Sequence, residues 1–312
     1  MDNRISLLLE NISKVIVGKE AAAKQLTAAL LCGGHVLIED VPGVGKTQLA
    51  AALAKSVGGI FRRIQLTPDI MPSDIVGFSI VDRETGEFTY KPGAAMCNFL
   101  LADEINRASP KAQSSLLEVM EDFQVSLDGV THPLPKPFMT LATQNPVETY
   151  GTYHLPEAQM DRFIMKISMG YPDRRSEMEI LDRNEFFNPL SQISSVITTD
   201  DVLELQQAVK NVKTTPQIKQ YVLNITDATR KHAAIKLGVS PRGSIAVYKA
   251  AKAAAYMAGR NYVIPDDVKE MAVCVLSHRI MMTQKGKTEF KTPEAVIEAI
   301  ISSAEVPVSN EA

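Results

Sequence analysis

Gly43, Gly45, Lys46 and Thr47 fall in the stretch VLIEDVPGVGKTQLA (36–50), with the spacing of a loop built to hold phosphate. Glycines let backbone N–H groups converge on phosphate oxygens, the start of a following helix adds a positive dipole end, and a lysine supplies full charge. On this reading Lys46 lies along the β- and γ-phosphates and the Thr47 hydroxyl ligates Mg²⁺. One residue departs from the pattern G-x-x-x-x-G-K-[ST]: position 40 is Asp, not Gly. That leaves the first turn of the loop its least determined part. The plain alternative is a glycine turn closing a structural strand–helix unit.

Asp103-Glu104 end the apolar run CNFLLA (97–102). A carboxylate at the end of a buried strand is costly unless a cation or water meets it there. Asp103 then faces Mg²⁺, and Glu104 orients or activates a water against the γ-phosphate. Asn145 closes another apolar strand, FMTLATQN (138–145), where its amide can hold that water without adding charge; its alternative is a cap on the turn before Pro146. Arg162, in QMDRF, either stays in its own subunit or projects outwards; its plain alternative is a surface salt bridge to Asp161 or Glu157. Arg242 sits in the first turn of a helix opened by Ser240-Pro241, where the helix dipole disfavours a cation, so an anion is expected opposite it, the nucleotide phosphates first. The five histidines (35, 132, 154, 232, 278) have no metal-binding spacing and read as structural or surface residues.

The elements that must position these groups follow from periodicity. Val36–Ile38, 60–66, 97–102, 138–145 and FIMKI (163–167) read as buried strands separated by helices, which argues for a parallel sheet with helices on both faces. In such sheets ligands collect at the carboxyl ends of the strands, where the 36–50 loop, Asp103-Glu104 and Asn145 all belong. An amphipathic helix precedes the sheet (Ile5, Leu8, Leu9, Ile12, Val15), and an Ala-rich helix covers about 20–32. Two insertions stand out: 67–93, with two short strands around Glu84-Thr85-Gly86, and 123–137, broken at Asp128-Gly129. Beyond YPDRR (171–175) the chain reads almost entirely as helix, with starts at Thr199-Asp200, Thr215-Pro216, Ser240-Pro241, Pro265 and Thr292-Pro293. A boundary near residue 190 divides an α/β domain (1–190) from a helical one (191–312). The last residues, PVSNEA, are expected to fray.

Bulk properties narrow the class. Over 312 residues, 45% hydrophobic and 22% charged content is that of a soluble globular protein, and a net charge of −3 argues against a nucleic-acid partner. Trp is absent and aromatics make up 6%, which disfavours base stacking. Cys32, Cys97 and Cys274 form no close pair, the pattern of reduced thiols in a cytoplasmic protein. The N-terminus lacks the features of a signal peptide, and no run approaches the roughly 18 apolar residues of a membrane span.

Taken together, the chain resembles an AAA+ ATPase and, within that group, the MoxR family. The motifs VIVGKE, IEDVPGVGKTQLA, QLTPDIMPSDIVGF, FLLADEINRASPKAQSSLLEVMED, VSLDGVTHPLPKPFMTLATQNPVE, GTYHLPEAQMDRFIMKI and GVSPRGS carry the resemblance across nearly the whole chain. It implies a P-loop core with a parallel five-stranded sheet followed by a small all-α lid. It also implies that Pro42, Gly43, Val44, Gly45, Lys46, Thr47 and Gln48 form Walker A, and Asp103 and Glu104 Walker B. Asn145 is then sensor 1, Arg162 the arginine finger and Arg242 sensor 2 reaching from the lid, while Ile16, Val17 and Gly18 line the adenine pocket. The family commonly has a non-glycine residue at position 40. Family members hydrolyse ATP with Mg²⁺ as rings, usually hexamers, and are generally thought to act as chaperones, often with partners carrying a von Willebrand factor A domain. The competing readings are a metal-chelatase-type motor subunit, a DNA helicase, and a nucleotide-gated scaffold with little turnover.

Overall fold

The computed structural model describes residues 2–306 apart from 82, 84, 85, 87, 147–150 and 187. Glu84 and Thr85 of the expected hairpin tip and the C-terminal PVSNEA therefore lie outside the described residues. Helices α1 (Asn3–Ser13) and α2 (Glu20–Leu31) lead into strand β1 (His35–Glu39), followed by α3 (Lys46–Val57) and β2 (Phe61–Gln65). The first insertion forms α4 (Pro72–Val76) and the antiparallel pair β3 (Gly77–Val81) and β4 (Phe88–Pro92). Strand β5 (Phe99–Asp103) and α5 (Pro110–Asp122) precede the second insertion, the hairpin β6 (Gln124–Leu127) and β7 (Val130–Pro133). Strand β8 (Met139–Gln144), α6 (Glu157–Met160) and β9 (Phe163–Ile167) complete the α/β part.

The central sheet runs β2–β5–β8–β1–β9, and every neighbouring pair is parallel. Alternation along each strand divides the core into two layers. Val36, Ile38, Phe99, Leu101 and Leu141 face α1, α2 and α3. Leu37, Leu100, Ala102 and Ala142 face α5 and its neighbours. Strands this apolar must be covered on both sides, so their ordered polar groups can appear only at the ends.

The helical region comprises α7 (Arg174–Phe186), α8 (Thr199–Lys210), α9 (Pro216–Lys231), α10 (Pro241–Met257), α11 (Pro265–Leu276), α12 (Gln284–Phe290) and α13 (Pro293–Ser303), with a short pair β10 (Ile235–Leu237) and β11 (Met281–Met282). Thr198, Thr215, Ser240 and Thr292 cap α8, α9, α10 and α13 with side-chain oxygens that accept backbone N–H bonds. The hydrophobic layer under α2 continues unbroken into α8–α11 and α13, so the chain near residue 190 changes its kind of element without leaving its core. Arg279, buried just after α11, fixes this join: it donates to Asp161 Oδ1 (2.7 Å), to the carbonyls of Phe163 (2.5 Å) and Ile164 (3.2 Å), and to that of Val275.

Candidate functional site

The 36–50 stretch folds as strand, loop and helix. Gly43 (φ 85°) and Gly45 (φ 93°) take the left-handed conformation that a side chain would oppose, and α3 starts at Lys46. Position 40 makes no such demand. Asp40 is not among the residues with positive φ, and its N–H donates to the Gln144 carbonyl (3.2 Å), extending the sheet by one residue. The doubt over the first turn is thereby corrected: no glycine is needed there. Lys46 Nζ donates to the Asp40 carbonyl (2.7 Å).

Beside the loop, Ile16, Val17, Gly43, Val44, Gly45 and Gln48 line a cleft together with Pro172 and Ile180. Its apolar walls suit a flat heterocyclic base. Pro42 precedes this cleft without lining it. Gly18, expected to line it, does not; its φ is 68° and an added Cβ would meet Ser176 Oγ at 2.2 Å.

Asp103 and Glu104 end β5, one strand removed from the loop. Asp103 is 6% exposed; its Oδ2 accepts from Arg63 Nε (2.6 Å) and its Oδ1 from Thr143 Oγ1 (3.1 Å). Glu104 sits in left-handed backbone (φ 58°), a conformation that costs a non-glycine residue and persists where the surroundings enforce it. Its N–H donates to Thr143 Oγ1 (2.9 Å), and its Oε2 accepts from Gln65 Nε2 (2.7 Å) and Arg107 Nη1 (2.9 Å). Asn145, 5% exposed, follows β8 at the same edge. The structure thus brings Lys46, Thr47, Asp103, Glu104 and Asn145 to the carboxyl edge of three adjacent strands, β1, β8 and β5.

The donor set fits a hard cation. A Thr47 hydroxyl and an Asp103 carboxylate are oxygen ligands of the kind Mg²⁺ takes while keeping water and phosphate oxygens as its other partners. No cage of three or more His, Cys, Asp or Glu side chains occurs among the described residues.

Arg162 and Arg242 lie elsewhere. Arg162 immediately precedes β9, whose first residue Phe163 pairs with His35 at the start of β1. The loop follows the opposite end of β1, and five residues of strand span about 15 Å. Arg242 is held near Arg162: Glu121, at the end of α5, accepts a hydrogen bond from Arg242 Nη2 (2.5 Å) and forms an ion pair with Arg162 Nη2 (3.1 Å). The hydrogen bond from Arg242 and the charge of both arginines hold the Glu121 carboxyl below its ordinary range. The anion expected opposite Arg242 is therefore Glu121, and within one chain Arg242 does not reach the phosphate loop. The physical reason is Asp161. It accepts from Ser240 Oγ, the cap of α10 (2.7 Å), and from the buried Arg279, which ties the root of α10 to the chain beside Arg162.

Sequence reasoning missed Arg63, Gln65, Arg107, Thr143, Glu121 and Arg279, and it offered Asp161 to Arg162, whereas Arg162 pairs with Glu121 and Asp161 binds Ser240 and Arg279. Alternation in FRRIQL places Arg63 and Gln65 on one face of β2, a usable signal. Their meeting with Asp103 and Glu104 depends on the register Gln65↔Asp103, which the sequence does not state. Two histidines are structural: His35 Nε2 bonds the Met120 carbonyl (2.8 Å) and Nδ1 accepts from Thr140 N–H (2.9 Å), while burial pulls its pKa down to about 4. His278, beside Arg279, is likewise depressed by burial.

Residues 35–165 match the ATPase family associated with various cellular activities (AAA), and residues 227–300 match the AAA lid domain. YeaC of Bacillus subtilis is 51% identical over 304 residues, 97% of this chain and 95% of that protein. Chaperone MoxR1 of Mycobacterium tuberculosis is 42% identical over 308 residues, 96% of this chain and 81% of that protein. A crystal structure of a protein from Cytophaga hutchinsonii, assigned as an ATPase, superposes with a TM-score of 0.90 at 38% identity, covering 98% of this chain and 96% of that one.

Proposed function

The chain belongs to the MoxR family of AAA+ ATPases, and from that premise we propose that it hydrolyses Mg-ATP at junctions between copies of itself in a ring. Lys46 meets the β- and γ-phosphates, and the cleft of Ile16 and Val17 takes the base. Mg²⁺, held by Thr47 and Asp103, neutralises charge on the phosphate oxygens when bound. Glu104 takes the proton of the attacking water, and Asn145 orients that water. Gln65 and Arg107 hold the Glu104 carboxylate ready in one rotamer.

The observation that carries this reading is the separation of the two halves. Walker-type residues gather at one edge of the sheet, while Arg162 and Arg242 are paired on Glu121 at the other. Two cations that turn away from their own nucleotide serve a neighbour's, so both arginines act in trans. The work driven is remodelling or maturation of a protein client, in the cytoplasm, and a von Willebrand factor A domain protein is the partner class the family suggests. No helix among the described residues is long and apolar enough to cross a membrane.

Phosphate release by the purified chain tests the chemistry. Glu104→Gln should bind ATP with little change and turn over about 10²–10⁴-fold more slowly. Turnover at the unsubstituted rate would remove Glu104 from the role of base.

A further inference from the structure

Asp40 is the residue at which this loop departs from the common pattern, and its carboxylate is more heavily engaged than a tolerated substitution requires. It is 7% exposed. Oδ1 accepts the N–H of Val41 (3.0 Å), while Oδ2 accepts the N–H groups of Met169 (2.5 Å) and Gly170 (2.7 Å) and the hydroxyl of Ser168 (3.2 Å). A buried carboxylate is stable only where donors of this kind converge on it, and such charge-assisted bonds are the strong ones.

The partners matter because of where they lead. Residues 168–173 connect β9 to α7, and Pro172 of the connector lines the base cleft with Ile16, Val17 and Ile180 of α7. Lys19 Nζ donates to the Tyr171 carbonyl (2.7 Å), closing the same connector from the other side. Met169 packs its methyl group 3.9 Å from the position a Cβ would take on Gly45. Asp40 is thus the first residue of the phosphate loop and also the anchor of the wall that contacts the base. A glycine at position 40 has no side chain to make this link.

We propose that Asp40 is a positioning residue that locks the base-side wall, 168–172, onto the phosphate loop, so that base and triphosphate are bound by one rigid unit. The proposal rests on the reading of the loop and cleft as a nucleotide site. It assigns Asp40 an effect on the heterocycle and spares the phosphates. Since Asn offers one acceptor oxygen and brings an NH₂ against surrounding N–H donors, Asp40→Asn breaks the clamp partially and Asp40→Gly breaks it completely.

The test compares full-length wild type, Asp40→Asn and Asp40→Gly with two probes, ATP and inorganic triphosphate, and follows amide exchange at Met169 and Gly170 without ligand. Asp40→Gly should lose about tenfold in ATP affinity and less than about twofold in triphosphate affinity. Exchange at Met169 and Gly170 should quicken by at least about tenfold while amides of β1 and β8 hold. Asp40→Asn should fall between. Unchanged ATP affinity, equal loss of ATP and triphosphate, or unchanged exchange at both amides would each overturn the proposal. Failure of wild type to bind either probe would instead strike the nucleotide-site reading, and the exchange arm separates the two.

Discussion

At the carboxyl edge of the sheet, Asp103, Glu104 and Asn145 are positioned by strand ends, buried neighbours and a backbone held at positive φ. At the opposite edge, Arg162 and Arg242 share a single carboxylate, Glu121, with side chains that remain 29–46% exposed. The first arrangement is anchored by folding, since Asp103, Asn145 and the Glu104 backbone are held by one buried sheet, although the Glu104–Arg107 pair itself is 29% and 42% exposed. The second is set by exposed side chains, whose ion pairs are individually weak and easily exchanged for another anion. Under the proposed function the difference is a division of labour: the half assigned to proton transfer is prebuilt, and the half assigned to a phosphate on another copy is left adjustable. Asp161 and Arg279 make this adjustable half coherent, since they fix the roots of both arginines while leaving the guanidinium ends free to change partner.

The strongest way to break the comparison is to remove the adjustable half. Arg162→Ala should keep ATP affinity and lose on the order of 10³–10⁵ in turnover, the range for arginines acting in trans in phosphoryl transfer. An equal loss of binding, measured by titration with a fluorescent ATP analogue, would put Arg162 back in its own subunit's site.

The buried sheet that underlies both halves should instead show itself in pH-dependent stability. His35 is neutral in the folded chain with a pKa of about 4, below its unfolded value near 6.5. The unfolded chain therefore takes up the proton first. Stability is full above pH about 6.5 and falls as the pH drops toward 4, by about 3 kcal/mol for this one group. His278 adds to the loss in the same direction. Urea melts at pH 8, 6.5 and 5 read it, and equal midpoints would contradict the buried neutral imidazole.

The smallest effect sharpens the comparison. Glu121→Gln removes the carboxylate that competes with phosphate for both arginines, at less than about 1 kcal/mol of stability because the pairs are exposed. Turnover should rise, by up to about fivefold. A fall would make Glu121 part of the active arrangement.

Much of the prebuilt half was legible in the sequence. Apolar runs ending in Asp103, Glu104 and Asn145 announce strand ends, and Ser/Thr-Pro pairs announce helix starts, because both signals are local. The comparison with known AAA+ and MoxR proteins agrees with the fold and family expected from the motifs. What stayed hidden depends on contacts between distant segments. Gln65 meets Glu104 through strand register, Glu121 meets Arg242 across 121 residues, and Asp40 meets Met169 across 129. Arg242 shows the limit most plainly: the helix dipole calls for an anion opposite it, and the fold, not the sequence, brings Glu121 of α5 there.

One mixing experiment tests the shared site most directly. Glu104→Gln subunits retain their arginines but cannot activate water; Arg162→Ala subunits retain Glu104 but offer no arginine to a neighbour. Mixed in equal amounts, the two inactive proteins should regain a measurable fraction of ATP hydrolysis, at junctions where an intact Glu104 faces an intact Arg162. A mixture that co-assembles, binds ATP and hydrolyses no more than the sum of its parts would contradict a site built between copies.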